Sequence, residues 1–146
     1  MKLQDQVCTL EQAKKLSELG INQKSLFYYT QDNTPLNSNL ATWGYRQENM
    51  PVYVKYLRQS DISTSDLFFE YSAFTVAELG MMLPSETLTI RRGSEYLEFP
   101  NWEWENEGQQ KGWGCFDTEA SARADHLIML LENNLIKVKE VNERLK

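Results

Sequence analysis

The stretch Glu119-Ala120-Ser121-Ala122-Arg123-Ala124-Asp125-His126-Leu127-Ile128-Met129-Leu130-Leu131-Glu132-Asn133 decides the fold. Wound at 100° per residue, it gathers Ala120, Ala124, Leu127, Ile128 and Leu131 on one side, with Leu135 continuing the row. That pattern predicts a core-facing helix over 119–133, capped by Asp117 or Thr118 and ended by Asn133 and Asn134. Glu119 and Arg123 form an i,i+4 pair on another side. His126, the only histidine, falls roughly opposite the apolar face and is expected in solvent. Downstream, Val138, Val141 and Leu145 have the spacing of a short amphipathic helix.

Upstream of this helix the chain reads as strands. Thr87 to Arg91 and Glu95 to Phe99 have the pattern of a hairpin closed through Arg92-Gly93-Ser94. Pro100 interrupts the second arm. The apolar positions switch across it, from Leu97 and Phe99 to Trp102 and Trp104, which suggests a bend or bulge. Earlier still, Leu26 to Thr30, Ala41 to Tyr45 and Pro51 to Leu57 have strand composition. Leu67 to Tyr71 is ambiguous between strand and the start of a helix.

Two helix starts carry the reciprocal cap of Thr followed three residues later by Gln or Glu. Thr9 and Gln12 open a helix over about Leu10 to Leu19, and Gly20 supplies its left-handed stop with Ile21 as the apolar follower. Thr75 and Glu78 open a shorter helix to about Leu83, before Pro84. The expected fold class is therefore α+β: a single domain over residues 1–146, with an antiparallel sheet packed by two to four helices.

Composition sets the outer bounds. The chain has 146 residues, 41% of them hydrophobic, enough for a core at this length. No apolar run nears the roughly 20 residues of a membrane helix, and Met1 to Gln6 are polar, so no membrane association and a cytoplasmic address are expected. Two cysteines, Cys8 and Cys115, are too few for a disulfide framework or a zinc ribbon, and both are expected as thiols. The net charge of −6 weighs against a nucleic-acid partner, because phosphate binding is driven by Lys and Arg. A helix-turn-helix starting at Thr75 would lack its second helix, since strand-like residues follow Pro84.

No catalytic signature stands out. There is no G-x-S-x-G elbow and no phosphate-binding glycine motif; Gly108, Gly112 and Gly114 read as turn residues. Either cysteine, used as a nucleophile, would have to recruit His126 from elsewhere in the fold. The most unusual segment is Trp102-Glu103-Trp104-Glu105. Extended, it places two indoles on one face and two carboxylates on the other, about 7 Å apart. Three readings stand side by side. The indoles can face the core with the glutamates in water. The segment can be a binding surface on which a sugar or base stacks. Or the carboxylates can act as a glycosidase-like pair. On grounds of burial cost the first is the expectation: both indoles inward, Glu103 and Glu105 outward. Trp102, Glu103, Trp104 and Glu105 are nonetheless the candidate ligand-binding residues. No metal site and no cofactor are expected, because Glu103, Glu105, Glu107 and Asp117 lack calcium-loop spacing.

Three blocks, Val7 to Leu16 continuing to Tyr29, Tyr71 to Pro84, and Glu119 to Asn133, occur in an order that resembles a group of small uncharacterised proteins of phages, prophages and other mobile elements in gut-type anaerobic bacteria. Asp125 departs from that pattern, where a basic or different polar residue is expected. The resemblance implies a mobile-element origin and a non-secreted product. It implies no activity. The functional expectation is a non-enzymatic module that binds a protein partner. The alternative is a small-molecule or carbohydrate-binding protein, with or without catalysis, built on residues 102–105.

Overall fold

In the computed structural model, the residues described are 2–30, 53–56, 69–85, 87–92, 101–105 and 116–145. Both reciprocal caps form. Thr9 Oγ1 accepts from the Gln12 amide while Gln12 Oε1 accepts from the Thr9 amide, and helix α1 (Leu10–Glu18) follows. It ends as its sequence demands: Gly20 takes φ +93°, its amide donates to Ser17 and that of Ile21 to Leu16. Thr75 and Glu78 repeat the arrangement at the start of helix α2 (Val76–Met82).

Strands β1 (Phe27–Thr30), β2 (Tyr53–Tyr56) and β3 (Phe69–Ser72) form an antiparallel sheet in the order β2-β1-β3. Of the ambiguous segment at 67–71, Leu67 and Phe68 lie outside the described residues, and residues 69–71 are strand. Its partner β1 supplies the reason: Tyr28 and Tyr29 pair with Ser72 and Tyr71, and both tyrosines are buried. The expected strand at Ala41 to Tyr45 lies outside the described residues.

A second antiparallel pair is made by β4 (Leu88–Arg92) and β5 (Asn101–Glu105). This corrects the expected hairpin. The described partner of β4 is 101–105, with Leu88 opposite Glu105 and Arg92 opposite Asn101. The physical reason is the anchorage of Trp104, described below, which fixes the strand after Pro100 as the one that docks. Residues 93–100 lie outside the described set.

Helix α3 (Glu119–Glu132) packs against α1 and α2 and against the β4–β5 pair, and α4 (Val138–Arg144) follows it. Thr118 caps α3 by accepting from the Ser121 amide. At its other end Asn134 takes φ 55°, with the Asn134 amide donating to Leu131 and the Leu135 amide to Leu130. The left-handed turn removes Leu135 from the helical wheel. Expected in the core row, Leu135 is instead 55% exposed.

The main core joins Ala13 and Leu16 of α1, Leu79 and Met82 of α2, Ala120, Ala124, Leu127 and Leu131 of α3, Val141 of α4, and Tyr29, Ala73 and Phe74. Short helices of this kind are marginal alone, and here side chains from other elements secure their ends. Arg144 Nη1 donates to the Met82 carbonyl at the end of α2. Asn142 brackets the end of α1, donating to Gly20 O and accepting from the Asn22 amide.

Leu127 has no exposure in this core. Leu127→Ala is expected to lower unfolding free energy by about 2–5 kcal/mol, the usual result of emptying a packed site. Urea denaturation checks this; a loss below about 0.5 kcal/mol contradicts the packing, because such values belong to surface sites.

Candidate functional site

The most concentrated chemistry among the described residues lies where β5 meets α3. Ala122, His126 and Leu130 recur every four residues and are all buried. They form a second stripe on α3, roughly 130° round from the stripe of Ala120, Ala124, Leu127 and Leu131. The helix is therefore covered on two sides: by α1 and α2 on one, by the β4–β5 pair on the other.

This overturns the expectation for His126, which has no solvent exposure. Its imidazole stacks on the indole of Trp104, with ring centroids 4.1 Å apart and planes within 12°. Burial pushes its pKa down from 6.5 to about 4, so the ring is neutral at pH 7. The signal that could have found it was the i, i+4, i+8 spacing with Ala122 and Leu130. An imidazole between two apolar residues on such a stripe covers a neighbouring layer.

Trp104 is 4% exposed, and its Nε1–H donates to Asp125 Oδ2 at 2.8 Å. Asp125 is thus the acceptor that lets an indole be buried without an unmet donor. Trp102 is half-buried. Its backbone exchanges two hydrogen bonds with Phe116, at 2.9 and 3.1 Å, just ahead of the α3 cap. Strand β5 is consequently tied by main chain at Trp102 to the segment ahead of α3, and by side chain at Trp104 to α3 itself. Glu103 and Glu105 occupy the alternating backbone positions; their side chains lie outside the described residues, as does Glu107. Of the four candidate ligand-binding residues, Trp104 has one ring face covered by imidazole and is closed to a stacking ligand there. Trp102 retains partial exposure.

Cys8 is a buried free thiol. Desolvation pushes its pKa up to about 12, so it is no thiolate nucleophile at neutral pH. Its carbonyl accepts from the Tyr29 hydroxyl, which burial likewise holds above its usual range. Cys115 lies outside the described residues. Among the described residues no three His, Cys, Asp or Glu side chains converge as a metal site, and no helix is long and apolar enough to cross a membrane.

A second polar cluster surrounds Glu78, 8% exposed. Its Oε2 accepts from the Thr75 amide at 2.8 Å, the Thr75 hydroxyl at 2.9 Å and the Ser25 hydroxyl at 3.0 Å; Oε1 accepts from the Leu26 amide at 3.0 Å. The capping box legible in the sequence explains the contacts with Thr75. The reach to Ser25 and Leu26 had no local signal. No protein-family model, no curated protein and no solved structure matches the chain.

Trp104→Ala is expected to cost about 3–5 kcal/mol, through the lost indole volume. Asp125→Ala should cost less, about 1–2 kcal/mol, by leaving the buried indole donor without its acceptor. Chemical denaturation of both variants measures the order. An Asp125→Ala protein as stable as the parent contradicts the Trp104–Asp125 bond.

Proposed function

We propose that the chain is a non-enzymatic interaction module of a phage or other mobile element, binding a protein partner in the cytoplasm. The observation that supports this reading most is the employment of its internal reactive groups. Both Glu78 carboxylate oxygens are engaged, Oε2 by Thr75 at the start of α2 and by Ser25, and Oε1 by the Leu26 amide ahead of β1. Asp125 holds an indole in place. His126 lies under that indole and is neutral at pH 7, and Cys8 is kept as the thiol. Glu78, Asp125 and His126 join one element to another and Cys8 is buried, whereas acid–base or nucleophilic catalysis needs such a group beside a space for substrate.

The contact surface we favour includes Leu26 and Met81. They are 52% and 54% exposed, and both adjoin the Glu78 cluster in the chain: Glu78 holds the Leu26 amide, and Met81 lies three residues further along α2. An adaptable methionine beside an aliphatic side chain suits a protein surface. The second reading, a carbohydrate or small-molecule site on residues 102–105, is supported by the partial exposure of Trp102.

Tagged protein, expressed and chemically cross-linked in the host that carries its gene, tests the two readings. A stoichiometric protein partner is expected, lost in Leu26→Ser/Met81→Ser at unchanged melting temperature. Sugar binding that is abolished by Trp102→Ala, with no protein partner captured, contradicts the proposal.

A further inference from the structure

We propose that Met81 is a reversible oxidation site: hydrogen peroxide converts its thioether to the sulfoxide, which turns the exposed face of α2 from apolar to polar while the fold stays intact. The reaction does not depend on the partner proposed above, and its test needs none.

The basis is the contrast between two neighbouring methionines. Met81 is 54% exposed, and Met82 has no exposure. On α2 the buried residues are Glu78, Leu79 and Met82, which share an arc of about 100°, while the exposed Ala77 and Met81 lie about 40° apart on the solvent side. The helical rotation between adjacent residues thus puts Met81 and Met82 on opposite sides of the boundary. Met82 is a member of the main core, and the half-buried Met129 packs against that core. Met81 belongs to neither group.

Among the described ties that hold α2, none uses the Met81 side chain. Thr75 and Glu78 fix the start of the helix, and Glu78 also holds Ser25 and Leu26. Arg144 holds the Met82 carbonyl at the other end. The Arg123 guanidinium lies against Gly80, where a Cβ would collide with it, and is paired with Glu119 on its own helix. An added oxygen at Met81 projects towards water and leaves these ties in place.

A sulfur lone pair attacks one oxygen of the peroxide. The S–O bond forms as the O–O bond breaks, and the proton of the transferred oxygen passes to the departing one, which leaves as water. Sulfur is oxidised by two electrons and the peroxide is reduced by two. A thioether has no proton to lose, so the reaction needs access to sulfur and no neighbouring base. Cys8 does not compete, because it is buried and kept as the thiol, whereas peroxide attacks the thiolate. The product is a polar, chiral group in place of a flexible apolar one, and methionine sulfoxide reductases return it to the thioether with electrons from a dithiol. The exposed surface of Leu26 and Met81 therefore loses an apolar member under oxidant and regains it on reduction.

Peroxide titration of the full chain tests this, with accessible thiols first alkylated by iodoacetamide. Peptide mapping by mass spectrometry follows each methionine, including Met1 and Met50, which lie outside the described residues. Thermal unfolding reports the fold, and retention on a phenyl column reports surface polarity. Met81 sulfoxide is expected to form about tenfold or more faster than that of Met82, which waits for α2 to open. At the stage where Met81 is oxidised and Met82 is not, the melting temperature should be unchanged and retention reduced. Sulfoxide reductases of both stereospecificities, supplied with dithiothreitol, should restore the thioether and the retention. Met81→Leu keeps an apolar side chain of good helix propensity that peroxide does not attack, and should show a smaller fall in retention. The proposal is overturned if Met82 is oxidised as fast as Met81, if the melting temperature falls in step with Met81 sulfoxide, if the reductases leave that sulfoxide in place, or if Met81→Leu loses as much retention as the parent.

Discussion

One buried carboxylate organises the half of the molecule around β1. Glu78 satisfies the free donors at the start of α2, as a capping-box residue does, and with its other oxygen it holds the Leu26 amide on the way into β1. The two ends of this contact are 52 residues apart in the chain. A carboxylate is suited to the task because it is acceptor-only, and four donors converge on it. Hydrogen bonds to a charged group are individually stronger than neutral ones, about 1.5–3 kcal/mol each. With β1 central in the sheet, fixing its first residues also positions β2 and β3.

The other reciprocal cap is used the same way. Gln12 closes the start of α1 through its Oε1, while its Nε2 donates to the Ser121 carbonyl of α3 at 2.8 Å. In both helices the third residue is at once a local cap and a cross-link. Arg144 and Asn142 perform a related service at the C-terminal ends of α2 and α1. The exposed Lys15–Glu132 pair, by contrast, adds little, because solvent screens it. The seven-residue α2 persists because its ends are held, by Thr75 and Glu78 at one and by Arg144 of α4 at the other.

How far the sequence could be read follows from the range of each interaction. Helix starts and stops depend on residues three to six apart, so Thr9, Gln12, Gly20, Thr75, Glu78, Thr118 and Asn134 were all legible in kind. Periodicity found the stripe of Ala120, Ala124, Leu127 and Leu131 correctly. It misled at Leu135, where a left-handed residue breaks the wheel, and at His126, where a second layer covers a face that hydropathy alone assigns to water. Strand pairing is a long-range choice. The partner of β4 was misread because the preference for a tight turn over 92–94 is local, whereas the docking of Trp104 on Asp125 and His126 is tertiary. The segment 102–105 was legible as unusual, and Trp104 as buried, but the ring that covers it came from a residue 22 positions away.

The central claim is that Glu78 couples the start of α2 to the start of β1 as a single unit. Backbone hydrogen exchange in Glu78→Gln tests it most directly. Glutamine keeps the size of the side chain but has one acceptor oxygen and brings an amide donor, so it cannot satisfy both ends. The account predicts that the Leu26 and Thr75 amides lose protection together, by about tenfold or more, as expected for the loss of a charge-assisted hydrogen bond. Unchanged protection at both amides, or a loss at Thr75 with Leu26 unaffected, would contradict it.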